Sequence, residues 1–214
     1  MVLGGLQWYD LGMEIHSFHP GEANVDVIRR AVEVLRNGGI VAHPTDTCYG
    51  LAVDITNPVA LKHLYLRKGM EFTKPVSVLV RSLEEAQKYG VFSVLALRLA
   101  REFWPGPLTL VVPRTEAGPV VLNPGVPDIG LRVIVNPVAN ALLDAFDGPL
   151  TTTSANAHGH PSPYRVKDIS MEPDLILDAG ELKTREKPST VLRVLDEEAT
   201  TLRQGGLFLD LSRA

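Results

Sequence analysis

A chain of 214 residues that is 45% hydrophobic and 21% charged reads as an ordinary globular protein, long enough for one generous domain with a full core. Its net charge of −4 argues against a protein that coats nucleic acid by bulk electrostatics, because counterion release rewards an excess of Lys and Arg. The single cysteine, Cys48, excludes an intrachain disulfide and a cysteine-built metal cluster, and no apolar run approaches the ~18 to 20 residues of a membrane span.

The opening stretch lacks the basic and continuously apolar regions of a signal peptide, so a cytosolic start is expected. From Asn24 to Arg36, Ile28, Ala31, Val32 and Leu35 recur at helical spacing, and the Asn37 to Gly39 triplet supplies a left-handed stop. A short buried strand follows and ends at Pro44. Asn57 and Pro58 read as N-cap and first residue of a second helix with Leu61, Leu64 and Tyr65 inward. Pro75 to Val80 is strand-like, and Ser82 to Glu85 is a capping box. Ala96, Leu99, Ala100 and Phe103 mark the next helix, stopped by the two prolines of Trp104 to Pro107.

Leu108 to Val112 and Gly130 to Val135 are strand-like runs flanking a Pro/Gly-rich connector, Gly118 to Gly130. Asn136 and Pro137 start a helix carrying Val138, Ala141, Leu142 and Ala145, and Pro149 to Thr153 is strand again. The tail adds short strands around Asp174 to Gly180, Ser189 to Val194 and Thr200 to Gly206. Helices and strands interleave without a linker or repeat, which favours a helix-covered sheet over a sandwich or bundle.

The familiar nucleotide and hydrolase signatures are missing: there is no Walker loop, dinucleotide glycine fingerprint, HExxH or GxSxG. What remains is a set of polar stretches at strand ends, where α/β proteins tend to place ligands. These are PTDTCYGL (44–51), TTTSAN (151–156) and KPSTVL (187–192). Each has a bland alternative: a capped loop around Asp46 with Tyr49 in the core, or a Ser/Thr turn satisfying its own backbone. Arg67, Lys68 and Lys74 could neutralise a polyphosphate or simply face solvent at a helix end. Cys48 has no placed His and Asp partner and reads as buried filler rather than a nucleophile. His158 and His160 read as a loop of exposed imidazoles, and Trp104 to Pro107 as an architectural stop.

In order, PTDTCYGL, RKGMEFTKPVSVLV, WPGPLTLVV, GLRVIVNPVANALL, PLTTTSANAHGHPSP, KPSTVL and LRQGG resemble the YrdC-like family of threonylcarbamoyl-AMP synthases over about residues 31–206. The resemblance implies an α/β fold: a twisted, mostly parallel open mixed sheet wrapped by helices, one domain over 1–214, with a deep positively charged cavity. The chain ends soon after the last motif, so the catalytic domain alone is expected. The implied reaction converts L-threonine, bicarbonate and ATP into threonylcarbamoyl-AMP and pyrophosphate, with Mg2+ on the triphosphate. Partner transferase proteins then carry the group to tRNA, in the cytoplasm and without a membrane.

By the same resemblance, Thr45, Thr47, Tyr49 and Arg132 form the threonine and bicarbonate pocket. Lys68 and Lys74, with Arg67, hold phosphates, and Thr153, Ser154, Asn156, Ser189 and Arg203 lie on the nucleotide side. No covalent nucleophile and no protein metal ligand are implied. One departure matters: where the family's basic element commonly reads Lys-x-Arg, Met70 occupies the Arg position, and Arg67, one turn earlier, is the expected substitute. The main alternative is a non-catalytic or weakly active paralogue that binds tRNA or double-stranded RNA, and nucleotide, through the same basic cavity. A third is a carbamoyl-transfer domain like that of hydrogenase maturation proteins, which usually sits in a longer chain with zinc-finger and acylphosphatase-like segments.

Overall fold

The computed structural model describes residues 12–18, 24–118, 125–182 and 187–210. Most of the N-terminal stretch behind the expected cytosolic start lies outside these, as do residues 119–124 of the Pro/Gly-rich connector. All five expected helices form: α1 Val25–Arg36, α2 Pro58–Lys68, α3 Leu83–Tyr89, α4 Val94–Phe103 and α5 Pro137–Phe146. Their ends follow the local chemistry. Asn57 and Asn136 each accept two first-turn amides, Ser82 and Ser93 each accept one, and Gly69 closes α2 at φ 60°, a left-handed conformation that costs glycine nothing.

The strands are β1 Glu14–Ser17, β2 Val41–His43, β3 Gly50–Ala52, β4 Ser77–Leu79, β5 Leu108–Pro113, β6 Asp128–Arg132, β7 Leu150–Ser154, β8 Leu175–Asp178, β9 Thr190–Leu195 and β10 Glu198–Arg203. They form one open ten-stranded sheet in the order β1-β8-β2-β3-β7-β4-β6-β5-β9-β10. β1, β8, β2, β7, β5 and β9 run one way and β3, β4, β6 and β10 the other, so the sheet is mixed with most strands sharing a direction. Two strands escape the sequence reading. β1 is a half-exposed edge, and β3 is three residues long inside a motif that reads as loop. The run expected to stay strand through Val135 leaves the sheet at Arg132 to enter α5.

Helices lie on both faces, so buried strand residues alternate between two apolar clusters rather than between core and water. Val41, Ala52, Leu79 and Leu150 join the cluster built on α1 and α5, whereas Ala42, Leu51, Val78, Leu110 and Leu131 join the cluster of α2, α3 and α4. α1 and α5 supply the side chains of the smaller cluster over β8, β2, β3 and the near end of β7 and β4, and its members include none from β6, β5 or β9. The other half of that face carries the cavity.

Candidate functional site

Because side chains alternate along a strand, the residues between apolar core positions turn to the opposite face. On β5, Thr109 and Val111 alternate with Leu108, Leu110 and Val112. On β6, Asp128, Gly130 and Arg132 alternate with Ile129 and Leu131. On β9, Val191 and Arg193 alternate with Leu192 and Val194. With Ser77 of β4 and Thr152 and Ser154 of β7 they line a cavity of about 400 Å³. Gly130 keeps it open, since a Cβ there would stand 2.9 Å from Ser77 Oγ.

The 43–50 stretch forms one wall. Thr45 Oγ1 accepts the amides of Thr47 and Cys48 at 3.1 Å and donates to the Cys48 carbonyl at 2.7 Å, so the threonine builds the turn that presents Thr47. Asn136, while capping α5, donates to the Thr45 carbonyl at 3.3 Å and ties this turn to the helix. Arg132, buried, reaches across. Its Nη2 donates to Asp46 Oδ1 at 2.7 Å, its Nη1 to Thr47 Oγ1 at 3.3 Å and its Nε to the Gly106 carbonyl at 3.1 Å. The Trp104 to Pro107 element is therefore more than a helix stop: it supplies the carbonyl that orients the guanidinium.

The opposite wall is a second arginine. Arg203 donates to Ser189 O at 2.8 Å and Ser189 Oγ at 2.9 Å, and Ser189 Oγ lies 3.0 Å from Thr109 Oγ1. Burial and the neighbouring Arg132 lower the Arg203 pKa, the mark of a cation held by neutral oxygens. Arg193, by contrast, is paired with Asp128 at 2.7 Å.

Thr45, Thr47, Arg132, Thr153, Ser154, Ser189 and Arg203 are thus brought together on the lining, whereas Tyr49, Arg67, Lys68, Lys74 and Asn156 are not part of it. Tyr49 is buried with its hydroxyl donating to the Gly180 carbonyl at 2.8 Å, tying β3 to the end of β8. Lys68 lies behind the wall, its Nζ donating to Ser154 O at 2.6 Å and Asn156 O at 2.8 Å, which fixes the turn that presents Ser154. Asn156 sits in that turn and donates to the carbonyls of Ala157 and His160. Lys74 is half-buried, its Nζ beside the exposed His158. Arg67 faces the other way, onto Asp174 at 3.0 Å and the Glu172 carbonyl. Sequence reasoning missed Asp46, Ser77, Gly106, Thr109, Asp128 and Arg193. For Ser77, Thr109, Asp128 and Arg193 the available signal was the polar residue at every second position of otherwise apolar strands, whereas Asp46 and Gly106 lie between elements and carried no such signal.

The Sua5/YciO/YrdC family model, described as "Telomere recombination", matches residues 33–205. The chain belongs to the Sua5/YciO/YrdC family. A Methanocaldococcus jannaschii protein provisionally named as a threonylcarbamoyl-AMP synthase is 35% identical over 198 residues, covering 86% of this chain and 90% of its own. The crystal structure of Pyrococcus abyssi Sua5 complexed with L-threonine is similar at a TM-score of 0.81 and 30% identity, covering 91% of this chain and 58% of that one. This chain therefore spans little more than half of that relative. Escherichia coli YciO is similar at a TM-score of 0.82 and 29% identity, over 90% of this chain and 96% of that one.

Against the family pattern, Met70 packs on the larger apolar cluster, and Arg67 is committed to Asp174 outside the cavity. Cys48 lines the cavity, but burial pushes its thiol pKa up despite Arg132 and Arg203, so it is a protonated thiol at neutral pH. If the chain carries out the reaction that the resemblance implies, Cys48→Ser is expected to keep at least half of the pyrophosphate release rate; a loss greater than tenfold in a folded variant would reinstate a thiolate step.

His43 is wholly buried on the cavity side of β2, opposite Gly50, and burial lowers its pKa to about 4. The unfolded chain binds this proton near pH 6.5 and the folded chain only near 4, so the stability His43 contributes is complete above 6.5 and is lost as pH falls toward 4. His43→Leu is expected to narrow the fall in Tm between pH 7 and pH 5, by roughly 1 to 2 kcal/mol of unfolding free energy. Parallel melting curves for both proteins would refute this.

Proposed function

We propose that the protein is an L-threonylcarbamoyladenylate synthase, a nucleotidyltransferase that makes threonylcarbamoyl-AMP and pyrophosphate from L-threonine, bicarbonate and MgATP for tRNA modification in the cytoplasm. The observation that carries the reading is a pair of arginines, the buried Arg132 and the more exposed Arg203, that line one cavity whose remaining polar lining is mostly hydroxyl. That is a site for an anionic substrate and developing negative charge, and its volume of about 400 Å³ suits small molecules. The likeness to a Sua5 crystallised with L-threonine supports the amino-acid assignment.

In this reading Arg132, oriented by Asp46, Thr47 and Gly106, holds the threonine carboxylate beside the Thr45 turn. The threonine amine attacks the carbon of bicarbonate, water leaves, and a carbamate forms. A carbamate oxygen then attacks the α-phosphorus and pyrophosphate departs with the magnesium it carries. Ser154, Thr153, Ser189 and Arg203 hold the nucleotide, while Lys68 and Asn156 keep the Ser154 turn in place. The protein needs no covalent nucleophile, because positioning and charge neutralisation carry the reaction. Partner transferases would then pass the threonylcarbamoyl group to adenosine beside the anticodon.

Incubation with MgATP, bicarbonate and each amino acid in turn tests the reading. Pyrophosphate release that requires both bicarbonate and L-threonine is expected, and release independent of either would refute it. A second reading, nucleotide and RNA binding without synthesis, is favoured by the Met70 departure alone. It predicts tRNA retention with a steep salt slope and no pyrophosphate release.

A further inference from the structure

The two histidines of the 158–160 loop have no part in the reaction above, yet the first of them touches a cation. Lys74 Nζ lies 2.9 Å from His158 Nε2. An ammonium only donates, so at this distance the imidazole nitrogen is an acceptor and the ring is neutral. No ion pair among the described residues includes either side chain. A lysine resting on a neutral imidazole lacks the counter-charge that an anion would supply.

Both backbones are anchored and both stand next to the cavity. His158 donates its amide to the Lys68 carbonyl at 3.1 Å, and the preceding Ala157 amide donates to Ser170 Oγ at 3.0 Å. Lys74 donates its amide to the Glu71 carbonyl, and its own carbonyl accepts the Tyr65 hydroxyl at 2.7 Å. Pro75, Val76 and Ser77, directly after Lys74, line the cavity, as does Ser154, four residues before His158. β4 and β7, which carry these segments, are paired with Ser77 opposite Thr152. Lys68, whose carbonyl accepts the His158 amide, adds a second cationic residue at the end of α2; the acidic residues of the neighbouring segments are Glu71, whose carbonyl accepts the Lys74 amide, and Asp168 and Glu172 on either side of Ser170.

We propose that His158 is a binding residue for the polyphosphate end of the nucleotide, acting with Lys74 as a two-point clamp. When phosphate arrives, Lys74 Nζ leaves His158 Nε2 for a phosphate oxygen. The released Nε2 takes one proton from solvent and donates it in a hydrogen bond to a neighbouring phosphate oxygen. The imidazolium and ammonium then share an anion instead of repelling each other. The proposal rests on the nucleotide reading of the cavity and adds a proton taken up on binding.

Calorimetric titration with MgATP and, separately, inorganic pyrophosphate tests it, in phosphate-free buffers of different ionisation enthalpy at one pH. Comparison of wild type with H158Q cancels protons released by the ligands themselves. The wild type is expected to take up a larger fraction of a proton than H158Q, which keeps a donor but cannot titrate. H158A is expected to bind pyrophosphate about tenfold more weakly, on the scale of one charge-assisted hydrogen bond. Equal proton uptake in wild type and H158Q, or unchanged pyrophosphate affinity in H158A, would overturn the clamp while leaving the nucleotide reading intact. A wild type that binds neither ligand would overturn both.

Discussion

Arg132→Lys is expected to lower threonine-dependent pyrophosphate release by a hundredfold or more, on the order of 3 kcal/mol of transition-state stabilisation, while the protein stays folded. The charge survives in this variant, but the fork does not. A lysine ammonium is a single point and cannot at once meet Asp46 Oδ1, Thr47 Oγ1 and the Gly106 carbonyl, which Arg132 reaches with three separate nitrogens. Arg132→Ala would confound the measurement, because it removes the cation 2.7 Å from the largely buried Asp46 carboxylate and so lowers stability as well as activity. If Arg132 binds the threonine carboxylate, the lysine variant should show its loss in KM for threonine as well as in kcat, with KM for ATP little changed. Near wild-type kcat/KM for threonine would remove Arg132 from the amino-acid pocket.

Lys68→Met should have the second largest effect, a drop of about ten- to a hundredfold in the same rate, because the ammonium fixes the carbonyls of Ser154 and Asn156 and, in the proposed reaction, a slip of the Ser154 turn would misplace the nucleotide. Stability behaves differently. Two carbonyls lose a donor, roughly 1 to 3 kcal/mol each, but a costly buried charge disappears with it, so the two contributions offset each other near neutral pH. Burial lowers the Lys68 pKa to about 8 from 10.5. The unfolded chain therefore binds more protons than the folded chain between those values, and wild-type stability should gain from this group as pH rises from about 8 toward 10.5. The methionine variant should lack that gain. A wild-type rate indifferent to Lys68→Met, in a variant with unchanged Tm, would show that the Ser154 turn does not need its lysine.

The sequence by itself determined the five helices, because their signals are local. Apolar spacing, asparagine and serine caps and a glycine stop act within one or two turns of chain. It also determined the family, through motifs whose order no local signal dictates, and the larger strands. Tertiary structure decided what each polar residue faces. Thr45, Thr47, Ser154 and Arg203 turn into one cavity, whereas Tyr49 and Arg67, close to them in sequence, turn to Gly180 and Asp174, more than a hundred positions away.

Asp46 reads as a loop cap in sequence and is the partner of Arg132 in space. Ser77, Thr109, Asp128 and Arg193 read as exceptions inside apolar runs until the sheet is assembled. Both faces of its first half are covered by helices, so alternation there is hidden among apolar residues on either side. Beyond β4, that face carries no apolar cluster, and the same period of two then places alternate residues of β6, β5 and β9, with Ser77 of β4, on the cavity. Which face a helix leaves bare depends on long-range packing of α1 against α5, and no window of the chain short enough to read by periodicity contains both.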